Sequence, residues 1–194
     1  VGSEMCIRDR HKKIDFTLLG FQALFFWSSL LLDLIANTQT EKEIYGVLNP
    51  FISDKGLKIV KIQFQNSKKC KLLIFLDKND GKLTVDECGD ISKEINSLLD
   101  IENIIKDPFR LEVSSAGIDR HLTSLEDLLR YKNYNVKVKI EAYTERGKLI
   151  GHGPNSLTLS NKNGEKSIDL SSVLDVKIDL EGMSLETIKE MEFK

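Results

Sequence analysis

F-R-L-E-V-S-S-A-G-I-D-R-H-L, the stretch Phe109–Leu122, decides how this chain is organised. In its first half Phe109, Leu111 and Val113 alternate with polar residues, and a period of two is typical of a half-buried strand. The strand then meets Ser-Ser-Ala-Gly, where Gly117 can take backbone angles that other residues avoid. Helix and strand patterns alternate before this stretch, and mainly strand patterns follow it. We therefore predict that it is the last strand of one domain and the hinge into another.

The segment before this stretch, residues 38–118, has the pattern of an α/β domain. An apolar face at helical spacing predicts a helix over Thr40–Ser53. Two strand patterns, Leu57–Gln65 and Lys71–Asp77, flank a short polar turn and predict an antiparallel hairpin. A capping box that begins at Thr84 starts a second helix. We predict that both helices pack on one face of a three-stranded sheet.

The segment after it, residues 119–181, has the pattern of an all-β domain. Ser124 is a candidate N-cap for a short helix, Leu125–Tyr131. Beyond this helix roughly five short strands follow one another, which predicts a small barrel or a rolled sheet. We interpret Glu145–Gly147 as one of the turns between these strands. Residues 182–194 are a tail that is either a short helix or frayed, and the fold class as a whole is α+β.

The second part of the stretch carries a family resemblance. Leu111–Leu122 reads L-E-V-S-S-A-G-I-D-R-H-L and resembles the signature of the bacterial ribosome maturation factor RimP family, L-E-V-S-S-P-G-[LI]-D-R-P-L, at ten of twelve positions. The departures are Ala116 and His121, where the family has proline. The similarity extends from about Glu41 to Leu180. Because proline restricts the unfolded chain, its absence predicts a looser junction, with a loss of about 0.4–1 kcal/mol at each position.

The resemblance implies both a fold and a function. It implies an amino-terminal α/β domain followed by a small Sm-like β-barrel domain. It also implies a protein of ribosome biogenesis, which binds the immature small ribosomal subunit near a ribosomal protein and promotes rRNA maturation there. We expect a monomer, and the three scattered cysteines predict a cytoplasmic location. Such a protein favours one conformation of the particle and catalyses no reaction. The alternative is an Sm-like RNA-binding regulatory protein, which would form rings with free RNA.

Charge is spread evenly along the chain, whose formal net charge is −2. Residues 40–119 carry twelve basic and fourteen acidic side chains, and residues 120–194 carry twelve of each. A protein that holds nucleic acid mainly by neutralising phosphates has a clear positive excess. The balance therefore favours a protein partner, such as a basic ribosomal protein, or RNA bound in its company.

Two sets of polar residues are candidates for functional contacts. The first lies in and beside the signature, where we expect either a salt bridge across the domain junction or direct contact with a partner: Arg110, Glu112, Ser114, Ser115, Gly117, Asp119 and Arg120. The second recurs every four residues on the second predicted helix, opposite its apolar stripe: Asp86, Asp90 and Glu94. We interpret this acidic face as a solvated helix surface that also suits a basic partner.

No residue pattern indicates catalysis, a cofactor or a metal. The three cysteines and three histidines stand at no metal-ligand spacing. Asp77–Gly81 resembles a calcium loop only superficially, because its glycine comes one place early and Cys88 stands where the loop needs glutamate. We therefore expect no enzyme activity, no cofactor, no metal and no small-molecule substrate.

The first part of the chain contains a run without charged residues, Phe16–Leu32, that follows several basic residues. Its seventeen residues are at the short limit for a helix that spans a bilayer. We interpret residues 1–37 as non-native sequence, translated from upstream of a gene that begins near Thr38. A membrane anchor, which would make the protein a membrane-bound adaptor, and an extension that packs as a helix are the alternatives.

Overall fold

Two β-sheets with their helices make up the described part of the chain. The computed structural model describes residues 32–67, 69–78, 82–153, 155–181 and 183–192. Each sheet lies against its own cluster of buried apolar side chains. The predicted α+β class is confirmed.

The first sheet has three strands, and two helices pack with it in one apolar cluster. The elements are α1 (Gln39–Asp54), β1 (Leu57–Gln65), β2 (Cys70–Lys78), α2 (Val85–Glu102) and β3 (Phe109–Ser115). The strand order is β1-β2-β3. β1 and β2 pair antiparallel, which confirms the predicted hairpin, and β3 pairs parallel to β2.

A capping box begins each of the two helices. At α1 the side chain of Thr38 accepts from the amide of Glu41, whose carboxylate accepts from the amide of Thr38 in return. Thr84 and Glu87 make the same reciprocal pair at α2, as predicted. Two orphaned backbone donors are satisfied in each case. Asn103, with a φ of +50°, is the left-handed C-cap of α2.

The central strand β2 is apolar on both faces, and the two faces have different neighbours. Leu72, Ile74 and Leu76 are fully buried in the cluster with the helices. Leu73 and Phe75 point to the opposite side and are half-buried. We call this opposite side the open face. By strand register it also carries side chains from β1, β2 and β3, namely Lys61, Gln63, Lys71, Arg110, Glu112 and Ser114.

The second sheet has five antiparallel strands. Its elements are α3 (Leu125–Arg130), β4 (Asn135–Ile140), β5 (Thr144–His152), β6 (Ser156–Asn161), β7 (Gly164–Asp169), a 3-10 helix (Leu170–Ser172), β8 (Val173–Ile178) and α4 (Leu185–Glu192). The strand order is β7-β6-β5-β4-β8. Within the described residues no pairing joins β7 to β8, so a closed Sm-like barrel is not confirmed.

One predicted turn is wrong, and the predicted tail is a helix. Glu145–Gly147 lies inside β5 and does not form a turn. A Cβ atom at Gly147 would stand 2.8 Å from the carbonyl oxygen of Ser160 on β6. Glycine is needed there because the backbone of β6 comes close. In a sequence, a glycine of this kind cannot be distinguished from a glycine in a turn. α4 shows that the tail takes the helical one of its two predicted forms.

The segment before α1 is already part of the folded interior. Leu34 belongs to the apolar cluster of the second sheet and Ile35 to that of the first, and Ala36 is fully buried. Residues 1–31, which make up most of the segment that we interpret as non-native, lie outside the described residues. In the part of the chain that the structure describes, no helix is long and apolar enough to cross a bilayer.

Candidate functional site

The signature stretch carries the chain from the first sheet to the second. The amide of Ala116 donates to the carbonyl of Leu76 at 2.8 Å, so the stretch follows β2 to its end. Gly117 then turns the chain with a φ of +67°, a value that favours glycine. Beyond it Leu122 donates to Val176 on β8 at 2.8 Å, which pairs the stretch with the edge of the second sheet. One short segment is therefore hydrogen-bonded to both sheets.

Arg120 is the main ionic link across this junction. Its side chain is buried, with Nη2 2.8 Å from Asp77 Oδ2 on β2 and 3.2 Å from Asp127 Oδ1 on α3. The guanidinium carbon also lies 5.7 Å from the ring centre of Tyr131. Burial alone would lower the pKa of Arg120. The charges of the Asp127 and Asp77 carboxylates outweigh this effect, so the pKa of Arg120 is raised. The arginine of the signature thus joins a strand of the first sheet to a helix of the second.

A second buried cluster lies beside the first and is centred on Lys61 of β1. The side chain of Lys61 is only 1% exposed. Its ammonium donates to the carbonyl of Leu34 at 2.7 Å, to Asn37 Oδ1 at 2.8 Å and to the carbonyl of Leu174 at 3.3 Å. Asp175 Oδ1 lies 3.7 Å away. Burial lowers the pKa of Lys61, and the charge of Asp175 only partly opposes this effect.

His121 completes this cluster from the signature. Its Nδ1 lies 2.7 Å from Asp175 Oδ1, and its ring packs against that of Phe75 with centroids 5.2 Å apart. Burial would raise the pKa of Asp175, but its hydrogen bond to His121 and the charges of His121 and Lys61 lower it overall. The cluster is therefore shared by the segment before α1, β1, the signature and β8.

The two departures from the family signature both make contacts that proline cannot make. Ala116 uses its amide proton in the bond to Leu76, and proline has no amide proton. His121 supplies the imidazole that binds Asp175. The looser junction predicted from the missing prolines stays a prediction, but these bonds oppose it.

The other signature residues lie at the surface and form no single group with Arg120. On the open face Glu112 pairs with Lys71 at 2.8 Å and with Arg110 at 3.2 Å. The Lys71 bond and the two positive charges lower the pKa of Glu112. Asp119 pairs with Lys177 on β8 at 2.6 Å. Of the remaining candidates Ser114 and Gly117 are exposed and Ser115 is half-buried.

The predicted acidic face of α2 is exposed and partly neutralised. Asp90 pairs with Lys93 at 2.9 Å, and Glu94 pairs with Lys55 at 2.9 Å. Asp86 is exposed. Among the described residues no hydrogen bond or ion pair connects these three carboxylates to the signature. The two predicted sets of residues are therefore separate surfaces.

Sequence reasoning missed most of the buried polar residues at the junction. Lys61 alternates with apolar residues of its strand, which is typical of a solvent-exposed lysine, and no local pattern indicates that it is buried. Asp127 could have been found, because it stands three residues after the N-cap Ser124 and bonds to it in the manner of a capping box. Asp77 and Asp175 carry no local signal, since each gains its role only when the two sheets meet.

The comparison with known families agrees with the signature. The model of the RimP N-terminal domain matches residues 47–119, from within α1 to the hinge beyond β3. This match supports the RimP family. The match covers the first sheet and ends at Asp119, next to the junction arginine. RimP proteins are a family of non-catalytic ribosome maturation factors.

Proposed function

We propose that this protein binds the immature small ribosomal subunit and promotes its assembly without catalysing a reaction. The match to the RimP N-terminal domain is the observation that carries the proposal.

We further propose a division near residue 118 into an α/β domain and a Sm-like domain. Five short antiparallel strands after a short helix, with the last strand paired to the first, support the Sm-like assignment.

The junction suggests how such a factor acts. Arg120 and Lys61 bond to groups from both halves of the chain, so the open face and the second sheet keep a fixed relation to each other. A preformed surface binds best to the conformation of a partner that fits it, and binding then shifts the partner's population toward that conformation. The protein would thus favour one folded arrangement of the immature subunit and leave when mature contacts replace its own.

The partners and the location of the protein follow from this proposal. The acidic face of α2 suits a basic ribosomal protein, and nearby rRNA is the second partner. We propose a monomer in the cytoplasm, where ribosomal subunits are assembled. Charge reversal of Asp86 and Asp90 to lysine tests the acidic face. Unchanged co-sedimentation with immature subunits at low salt would remove that face from the proposal.

A deletion strain tests the function itself. A strain without the gene should accumulate small-subunit precursors with unprocessed rRNA. Reintroduction of the wild-type gene should restore mature subunits. The purified protein should sediment with immature small subunits and not with mature ribosomes. Normal precursor levels together with ring-shaped oligomers on free RNA would reject the proposal in favour of the Sm-like regulatory protein.

A further inference from the structure

The outer side of the second sheet carries a group of cations that the evenly balanced sequence does not reveal. Val136 and Val138 of β4 are fully buried, so the lysines that alternate with them point to the opposite side. The same alternation directs side chains of β5 and β8 outward. We call this surface the basic face, and its cations are Lys137, Lys139, Arg146, Lys148 and Lys177.

Strand register places three of these cations in one row. Lys137 lies directly opposite Arg146 on β5 and directly opposite Lys177 on β8. Side chains directly opposite each other in antiparallel strands are about 4.5–5.5 Å apart at Cβ, and like charges there destabilise a sheet. A row of three cations therefore needs anions nearby, either from the protein itself or from a partner.

Carboxylates at the rim of the face supply some of this negative charge. They come from the chain on either side of β4, β5 and β8, and each pairs with one member of the row: Asp179 with Lys137, Glu181 with Arg146 and Asp119 with Lys177. The carboxylates of Glu181 and Asp119 are exposed, and ion pairs of exposed groups are weak. A phosphate chain can therefore replace or join them at low cost.

The flanking rows add two further cations. Lys139 lies opposite Asp175 and Lys148 opposite Asn135, about 7 Å along the strands from the central row. Lys139 and Lys148 are exposed, and among the described residues neither has a carboxylate partner. The outward sides of β4, β5 and β8 thus contribute five cations and one carboxylate, that of Asp175.

We propose that the basic face binds the phosphate backbone of RNA. This inference rests on the proposed function, because rRNA is the anionic component of an immature subunit. The cations stand on neighbouring strands at spacings that a phosphate chain can follow. No aromatic side chain of β4, β5 or β8 lies on the face, so bases have no stacking surface there. Binding is therefore independent of sequence and sensitive to salt.

A matched pair of triple variants tests the face. The first replaces Lys139, Lys148 and Lys177 with glutamine and leaves the ion pairs of buried Asp179 intact. The control replaces Lys132, Lys162 and Lys189 with glutamine and so removes the same amount of positive charge. These three lysines are exposed and lie outside β4, β5 and β8. Fluorescence anisotropy with a labelled single-stranded RNA of mixed sequence measures affinity over a series of salt concentrations. Circular dichroism confirms that each variant is folded.

The expected result is specific to the face. Its triple variant should bind the RNA at least about tenfold more weakly than wild type, and its salt slope should fall by about 2, since each phosphate contact contributes about 0.7 for a single strand. The control variant should keep both the affinity and the slope of wild type. Equal losses in the two variants, or no RNA binding by wild type, would overturn the proposal.

Two further measurements distinguish RNA from an acidic protein as the occupant and separate the basic face from the proposed function. The first is a competition in which polyglutamate is added at the same concentration of negative charges as the RNA. Displacement of the RNA would overturn RNA as the occupant and indicate an acidic protein. Sedimentation of the wild-type protein with immature subunits tests the proposed function on its own. If the wild-type protein sediments with immature subunits but the face variant keeps full RNA affinity, the proposed function stands and the proposal for the basic face is overturned.

Discussion

The ammonium of Lys61 lies 2.7 Å from the carbonyl oxygen of Leu34, and this bond joins the first sheet to the segment before α1. Leu34 packs in the apolar cluster of the second sheet. Asn37, three residues later, donates to the carbonyl of Leu174 at 2.9 Å. Residues 34–37 are thus held between the two sheets. A buried ammonium needs such acceptors, because an unpaired buried charge is strongly unfavourable.

Asn37→Ala should destabilise the protein, because the buried ammonium of Lys61 loses one acceptor. A hydrogen bond to a charged group contributes about 1.5–3 kcal/mol, and urea denaturation measures the change. Asn96→Ala, on the exposed side of α2, should change stability by less than about 0.5 kcal/mol. In a Lys61→Met background the effect of Asn37→Ala should shrink, as in a double-mutant cycle. An undiminished effect would show that Asn37 acts independently of Lys61.

Arg120→Met should have a larger effect, because it leaves Asp77 and Asp127 without their shared cation. Breaking a buried ion pair from one side costs about 3–5 kcal/mol. The matched control is Arg110→Met, whose side chain is 80% exposed and should contribute little. Chemical denaturation compares the two variants. Similar stabilities would contradict the assignment of Arg120 as the link between the sheets.

Asp175 should make stability depend on acid pH. Its pKa is lowered in the folded protein, whereas an unfolded aspartate titrates near 3.9. Its contribution is therefore fully present above about pH 4 and is lost as pH falls through the folded pKa. Asp175→Asn should flatten the dependence of the unfolding free energy on pH in that window. Identical pH dependences for Asp175→Asn and for the wild-type protein would reject the prediction.

Restoring the family prolines should not stabilise this protein. Ala116→Pro gains about 0.4–1 kcal/mol from a more restricted unfolded chain but loses a hydrogen bond to Leu76 that contributes about 0.5–1.5 kcal/mol. We expect a small net loss. His121→Pro removes both the partner of Asp175 and the ring that packs against Phe75, so its loss should be larger and should shrink in an Asp175→Asn background. Stabilisation by both prolines in thermal unfolding would show that the junction is looser than these contacts indicate.

Local patterns were sufficient to predict most elements, because their causes are local. The hairpin of β1 and β2, the capping box at Thr84 and the helix after Ser124 all depend on residues a few positions apart. Gly147 shows the limit of this reasoning. Because Gly147 has no side chain, the backbone of β6 can pack close to it. β6 lies too far along the chain to be part of a local sequence pattern around Gly147.

The candidate site was predicted only in part for the same reason. Arg120 was expected to form either a salt bridge across the junction or a partner contact, and the structure shows the bridge. The sequence could not indicate that Lys61 would be buried, or that His121 would face Asp175 across 54 positions of chain. Alternating polarity gives the side of a strand but not what packs against that side.

The sequence by itself indicated the resemblance to the RimP family, the α+β class and the order of the elements, because the signature and the capping and strand patterns are local. Only the tertiary structure decided which polar residues join the sheets and which cations share a face. Ion pairs such as Arg120–Asp77 and rows such as Arg146–Lys137–Lys177 arise from strand register and packing between distant segments. An even count of charges along the chain says nothing about such neighbours in space.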